Sequence, residues 1–281
     1  GLNNFPQNTQ LGIKYLIKSI DNGCIDSKIY YINMLIKGKI IPINLKKAKK
    51  LIELHFKNNE SLYFLLNGKI MKKSKNLNDA KHYFERSIST GCIESMYEYA
   101  KLFLEKESTK NEEKAIQYHK KAIDKQYLKA IFKYGLILIK ANNKEEGIRY
   151  IKMAADKGFP KAIYHYSRML QKGNGVELNK EESIRYLQIA ADNGYIKALY
   201  KLGVELGNNE KEQSIPYLKK ASDRGEIKAI YQLGHNLINQ MPPNKEGVKY
   251  MRIAANGGYI NAINEYSYLL IEGQLITADY E

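Results

Sequence analysis

Apolar and polar positions repeat along this chain on two scales, at helical spacing within short segments and again every 31 to 36 residues. One segment type opens on a small residue, at Ser27, Ser61, Ser95, Ala130, Ala162, Ala198, Ala229 and Ala262. One, four and eight residues on, the position is apolar, as in Ile131, Tyr134 and Leu138 or Ile163, Tyr166 and Leu170. Five residues on it is small again, at Ala100, Gly135, Ser167, Gly203, Gly234 and Ser267. Offsets 1, 4, 5 and 8 share one face of a helix, here called A. A glycine inside a helix costs about 1 kcal/mol relative to alanine. Its recurrence at one offset predicts that a neighbouring helix comes close there.

A second helix, B, precedes each A. Its small anchors are Gly12, Ala48, Ala80, Ala115, Gly147, Ser183, Ser214 and Gly247. Tyrosine stands three residues on in seven of the eight, at Tyr15, Tyr83, Tyr118, Tyr150, Tyr186, Tyr217 and Tyr250. Asparagine stands four residues before the anchor in six, at Asn8, Asn44, Asn76, Asn111, Asn143 and Asn179, which predicts N-caps. Asn143 with Glu146 and Asn179 with Glu182 have the spacing of a capping box. Gly23, Gly91, Gly158, Gly194, Gly225 and Gly258 end helix B, where a left-handed residue is needed. Pro216, inside one B segment, should kink that helix or delay its start.

Eight B–A pairs, none able to bury both faces alone, predict an all-α fold: a right-handed α-solenoid of about sixteen short helices. The whole chain, 1–281, reads as one such array. Repeats are divergent over 1–75 and clear over 76–273, and 274–281 start a further one.

Charge changes this picture little. The formal net charge is +15, carried by 39 Lys and 6 Arg. Lys, Asn, Ile and Tyr make up 121 of 281 residues, and all four are encoded by codons rich in A and T. A skewed base composition therefore accounts for the basic balance without a polyanion partner. Bidentate base contacts favour Arg, so nucleic acid is disfavoured. No apolar run reaches the ~18 residues of a membrane span.

Catalytic and metal chemistry find no pattern. His55, His82, His119, His165 and His235 fall at different offsets, so no metal site and no cofactor is expected. Gly173-Asn174-Gly175 lacks the third glycine and the preceding strand of a phosphate loop, and reads as a turn. Glu112-Glu113, Glu145-Glu146 and Glu181-Glu182 sit at the start of helix B, where they complement the helix dipole. Cys24 and Cys92 occupy one offset two repeats apart, about 20 Å at the usual 8–10 Å per packed helix, too far for a disulfide.

Gln171–Ala198, QKGNGVELNKEESIRYLQIAADNGYIKA, resembles the Sel-1-like repeat, a relative of the tetratricopeptide repeat. Gly173, Gly175, Val176, Ala190, Ala191, Gly194 and Ala198 carry the likeness, and Lys152–Ala162 and Arg252–Ala262 repeat its second half. Asn replaces the family's cap Asp, Glu182 its Lys, and only one G-x-G-V is intact. The second repeat departs most, with Asn58 and Asn59 for Gly and Leu66 for a small residue.

The resemblance implies a non-enzymatic scaffold or adaptor for protein partners, of the kind found in signalling and in ER-associated degradation. It also implies that A helices line a concave groove. Offset 2 of helix A is aromatic in six repeats: Tyr63, Tyr97, Phe132, Tyr164, Tyr200 and Tyr231. These either pack against the next helix or anchor a peptide, flanked by Lys133, His165, Arg168, Lys201 and His235 at offsets 3 and 6. Tyr164, Tyr200 and Arg168 are then expected on the groove with partly exposed tips. The expected partner is a protein or peptide, acidic where charge takes part. The alternatives are the repeat region of a larger signalling protein, such as one fused to a protein kinase, and a basic solenoid on RNA or an anionic membrane. With no signal sequence in view, the expected location is cytoplasmic. Asp279 aligns with the cap Asn179, and the last A helix bears Ile263, Tyr266, Leu270 and Ile271 with no B helix to cover it. A chain cut from a longer array is expected.

Overall fold

The computed structural model describes residues 9–38, 40–104, 109–207, 211–240 and 244–272. Among these it holds sixteen α-helices and no strand. The B helices are α1 (Thr9–Asp21), α3 (Leu45–Phe56), α5 (Leu77–Ser89), α7 (Thr109–Asp124), α9 (Lys144–Asp156), α11 (Lys180–Asp192), α13 (Lys211–Ser222) and α15 (Glu246–Asn256). The A helices are α2 (Ile25–Lys37), α4 (Glu60–Lys73), α6 (Ile93–Leu104), α8 (Leu128–Lys140), α10 (Pro160–Lys172), α12 (Ile196–Gly207), α14 (Ile227–Ile238) and α16 (Ile260–Glu272). The alternation is that of an α-solenoid. The chain divides into two compact units, Asn8–Ala154 and Ala155–Glu281.

Helix starts follow the asparagine signal where it is described. Asn44, Asn76 and Asn179 cap α3, α5 and α11 by accepting the backbone N–H three residues on. The capping box is half made at Asn179, and at Asn143 the side-chain Nδ2 donates to Glu146 Oε2 instead. The backbone N–H of Asn143 donates to Leu138 O and that of Asn179 to Leu170 O, so neither is left for the glutamate three residues on. Asn44, Asn76 and Asn244 donate likewise to Leu35, Met71 and Leu237. Each of these asparagines thus ties the end of an A helix to the start of the next B. Asn111 is not a cap: α7 begins at Thr109, and Glu112-Glu113 are its fourth and fifth residues. Asn8 and Asp279 lie outside the described residues. The six glycines that end B helices all have φ between +72° and +86°. Pro216 lies within α13, which starts five residues earlier.

In the N-terminal unit, Gly135 of α8 and Gly147 of α9 face each other. A Cβ on Gly135 would fall 2.7 Å from the Gly147 carbonyl oxygen. On the same two helices Tyr134 meets Tyr150 with ring centroids 4.9 Å apart, and on α6 and α7 Tyr99 meets Tyr118 at 4.5 Å. Ile32, Ile52, Leu66, Phe84, Tyr99, Ile131 and Ile151 form the most buried part of this unit.

The second repeat does not keep the register that Ser61 suggests. Gly68 faces the ring of Phe84, four residues after the anchor Ala80. Within the C-terminal unit Gly203 makes the same contact with Leu218, four residues after Ser214. Since Gly203 is at offset 5, Gly68 must be as well, and the anchor of α4 is Tyr63. The two spacings of 34 become 36 and 32. Asn67 then holds the usual aromatic position, buried, with its Nδ2 donating to Tyr63 O.

In the C-terminal unit, Gly234 and Gly247 form a second facing pair, and Tyr166 and Tyr186 lie 5.0 Å apart. Ser183 Oγ donates to Ser167 O at the seam where two other repeats place a facing pair of glycines. Tyr186 extends its hydroxyl to Asp156 Oδ1 at 2.7 Å. On α16, Ile263, Leu270 and Ile271 are exposed. Both cysteines are free thiols.

A lysine-lined cavity as the candidate functional site

Four successive A helices of the N-terminal unit, α2, α4, α6 and α8, turn charged residues to one side. There they enclose an open cavity of about 970 Å³. Helix α2 contributes Tyr30, Asn33, Met34, Ile36 and Lys37, with Ile40 just beyond it. Lys69, Lys72, Lys73 and Lys75 come from α4 and its end, Glu94, Glu98 and Lys101 from α6, and Lys129 from α8. Among the described residues, seven lysines against two glutamates leave a formal excess of five positive charges. In the corrected register Asn33, Lys69 and Lys101 all stand at offset 6, so helical repetition stacks them into a column.

The glutamates engage part of this charge. Lys69 Nζ lies 2.9 Å from Glu94 Oε1 and 3.5 Å from Asn33 Oδ1. Glu98 Oε2 is 3.1 Å from Lys101 Nζ and 3.6 Å from Lys72 Nζ. Burial acts to raise the Glu94 carboxyl, but Lys69, with Lys129 and Lys37 behind it, outweighs burial and holds it below the usual carboxylate range. Lys37 is lowered, first by desolvation and then by repulsion from Lys69 and Lys129. Lys37, Lys73, Lys75 and Lys129 make no ion pair among the described residues. Tyr30 and Ile40, both exposed, give one end of the cavity an apolar lip.

The groove residues expected from the sequence lie elsewhere. Tyr97 is half-buried between Tyr127 and His119, at 5.6 and 5.9 Å. Phe132 is only 3% exposed, a core side chain rather than an anchor, because its face of α8 is covered by packing. Lys133 is half-buried beside it. In the C-terminal unit Tyr164 packs on Tyr195 at 5.4 Å, and the exposed Arg168 lies over the Tyr164 ring at 5.9 Å. His165 is pushed down to about 4, by burial first and then by Lys161, Arg168 and Lys197. Tyr200 is half-buried, and Lys201 is paired with Glu205. Tyr231 packs on Tyr259 at 5.1 Å, and its hydroxyl donates to Glu265 Oε2 while His235 Nδ1 meets Oε1 at 2.8 Å. Burial opposes ionisation of Glu265, but His235 and Tyr231 outweigh it and hold its carboxyl low.

Offset 2 is thus a packing position, and its partners Tyr127, Tyr195 and Tyr259 recur three residues before the A anchor. That recurrence was present in the sequence. The cavity lysines carried a weaker signal: Tyr30, Asn33, Glu98 and Lys101 do stand at offsets 3 and 6. Tyr30 and Asn33 belong, however, to the divergent repeats, and only Glu98 and Lys101 to the clear ones. No group of three or more His, Cys, Asp or Glu suited to a metal ion occurs among the described residues. No helix among them is long and apolar enough to cross a membrane.

Comparison with known proteins agrees with this architecture. The Sel1 repeat model matches residues 1–24, 61–91, 93–127, 130–159, 160–195, 196–226 and 227–259. Residues 25–60, which supply Tyr30, Asn33, Met34, Ile36, Lys37 and Ile40, fall outside the match. No curated protein matches the sequence. Among solved structures, a Sel1 repeat protein from Oxalobacter formigenes superposes with a TM-score of 0.64 at 22% identity, over 92% of this chain and 81% of that one. A protective antigen present in uropathogenic Escherichia coli strains, displaying an SLR fold, superposes with a TM-score of 0.63 at 17% identity. That match covers 95% of this chain, which spans 61% of the antigen. At these identities the likeness is one of fold.

Proposed function

Because the chain belongs to the Sel1 repeat family, whose repeats generally mediate protein–protein interaction, we propose that it is a non-catalytic scaffold that holds an acidic segment of a partner polypeptide in the lysine-lined cavity. The observation that carries this reading is the excess of positive charge gathered on one surface by four successive A helices. Three interhelix steps of 8–10 Å span about 24–30 Å, the length of roughly eight extended residues. The apolar lip of Tyr30 and Ile40 offers a seat for a non-polar side chain at one end of such a segment. Lysine gives charge without the bidentate fork of arginine, which suits carboxylates in loose array better than the edges of bases.

The test separates the cavity from the general basicity of the chain. Lys37→Gln, Lys73→Gln and Lys129→Gln together remove three cavity charges. Lys46→Gln, Lys49→Gln and Lys50→Gln remove three from the exposed side of α3. Partners co-purified with the wild-type protein should be lost with the first triple variant and kept with the second. Equal retention or equal loss in both would end the reading.

A further inference from the structure

Among the described residues, Glu94 and Glu98 are the only acidic side chains lining the cavity, and both lie on α6, one helical turn apart. They do not face away from the lysines. Between them they engage Lys69, Lys72 and Lys101, three of the seven amines, at 2.9 to 3.6 Å. Carboxylates so placed are where a bound acidic segment would put its own. Their side chains are 36% and 14% exposed, so water weakens these pairs only in part.

We propose that Glu94 and Glu98 are built-in competitors: they occupy the amines that a ligand's carboxylates would take and hold the cavity in a weak-binding state. The proposal rests on the reading of the cavity as an acidic-segment site. Binding then has two stages. Lys37, Lys73, Lys75 and Lys129, which have no ion-pair partner among the described residues, receive the first carboxylates. Further carboxylates must exchange with Glu94 on Lys69, and with Glu98 on Lys72 and Lys101. A segment with few charges gains only the first set, while a dense acidic run gains both.

The opposite role has a distinct signature. If the glutamates instead held the lysines in a productive pose, removing them would loosen the site. A labelled octa-glutamate peptide serves as the probe, with fluorescence anisotropy on the full chain. Each of Glu94→Gln and Glu98→Gln should tighten binding roughly three- to tenfold, the order expected for one like charge in a partly solvated site. The gain from Glu94→Gln should shrink in a Lys69→Gln background, since Lys69 is the amine it releases. Unchanged or weaker binding in both variants would overturn the competitor role and leave the cavity reading in place. No binding of the probe by the wild type or either variant at low salt would overturn both. Should Glu98→Gln, the more buried site, melt early, the more exposed Glu94→Gln decides alone.

Discussion

The two units of this molecule differ in an instructive way. In residues 155–272 the repeat keeps its register: Gly234 faces Gly247, Tyr166 pairs with Tyr186, and the family model matches without a break through residue 259. In residues 9–154 one repeat is shifted by two residues, the stretch 25–60 escapes the family model, and the cavity opens. Regularity marks what every helix pair needs in order to stack. The surface that gathers charge includes the shifted repeat, whose α4 and its end supply Lys69, Lys72, Lys73 and Lys75.

That contrast is open to attack, first through packing. Phe84 fills the seam of the shifted repeat and is fully buried, as Leu218 is in a regular one. Phe84→Ala should cost about 3–5 kcal/mol and Leu218→Ala about 2–5, read from urea unfolding midpoints. A cost well below 2 kcal/mol at Phe84 would mean that the shifted repeat is loosely packed and the cavity has no firm floor.

The glycine seams give a sharper and smaller test. A Cβ at Gly135 or Gly234 would lie 2.7 or 2.9 Å from a facing backbone carbonyl, whereas at Gly12 it would meet nothing within 4 Å. Gly135→Ala and Gly234→Ala should each destabilise by about 1–3 kcal/mol. Gly12→Ala should instead stabilise by up to about 1 kcal/mol through helix propensity. Equal effects at all three would show that conformational freedom, and not close approach, keeps glycine at these offsets.

The smallest expected effect concerns protons. The folded protein holds His165 down to about 4, while the unfolded chain has an ordinary histidine near 6.5. Between these values the unfolded state binds more protons, so stability is constant above about pH 6.5 and falls as pH drops toward 4. Wild-type protein should lose stability from pH 7 to pH 5 by more than His165→Gln. Equal losses would show that His165 is not desolvated in the fold.

The sequence made the architecture legible because its signals are local. Cap asparagines, terminal glycines and the small residue at offset 5 each act within a turn or at a single contact, and each recurs often enough to be read from one chain. The register of α4 was hidden for a physical reason. Ser61 imitates a small anchor, Asn67 takes an aromatic position, and the true seam residue Gly68 comes two residues later than expected. The candidate site was harder still. Its lysines lie on helices drawn from residues 30 to 129, and with 39 lysines in the chain no single one stands out. Tyrosine at offset 2 drew attention for its chemistry, yet neighbouring tyrosines or core packing take up much of it at Tyr97, Phe132, Tyr164 and Tyr231.

The backbone ties between A helices and the asparagines that follow them bear on how the chain folds. Asn44, Asn76, Asn143, Asn179 and Asn244 each reach back only five to nine residues, to Leu35, Met71, Leu138, Leu170 and Leu237. Loops this short close at little entropic cost, and proteins dominated by such local contacts fold quickly. Each A–turn–B hairpin can therefore close early in synthesis, and it becomes stable once the neighbouring pair has emerged and stacked on it.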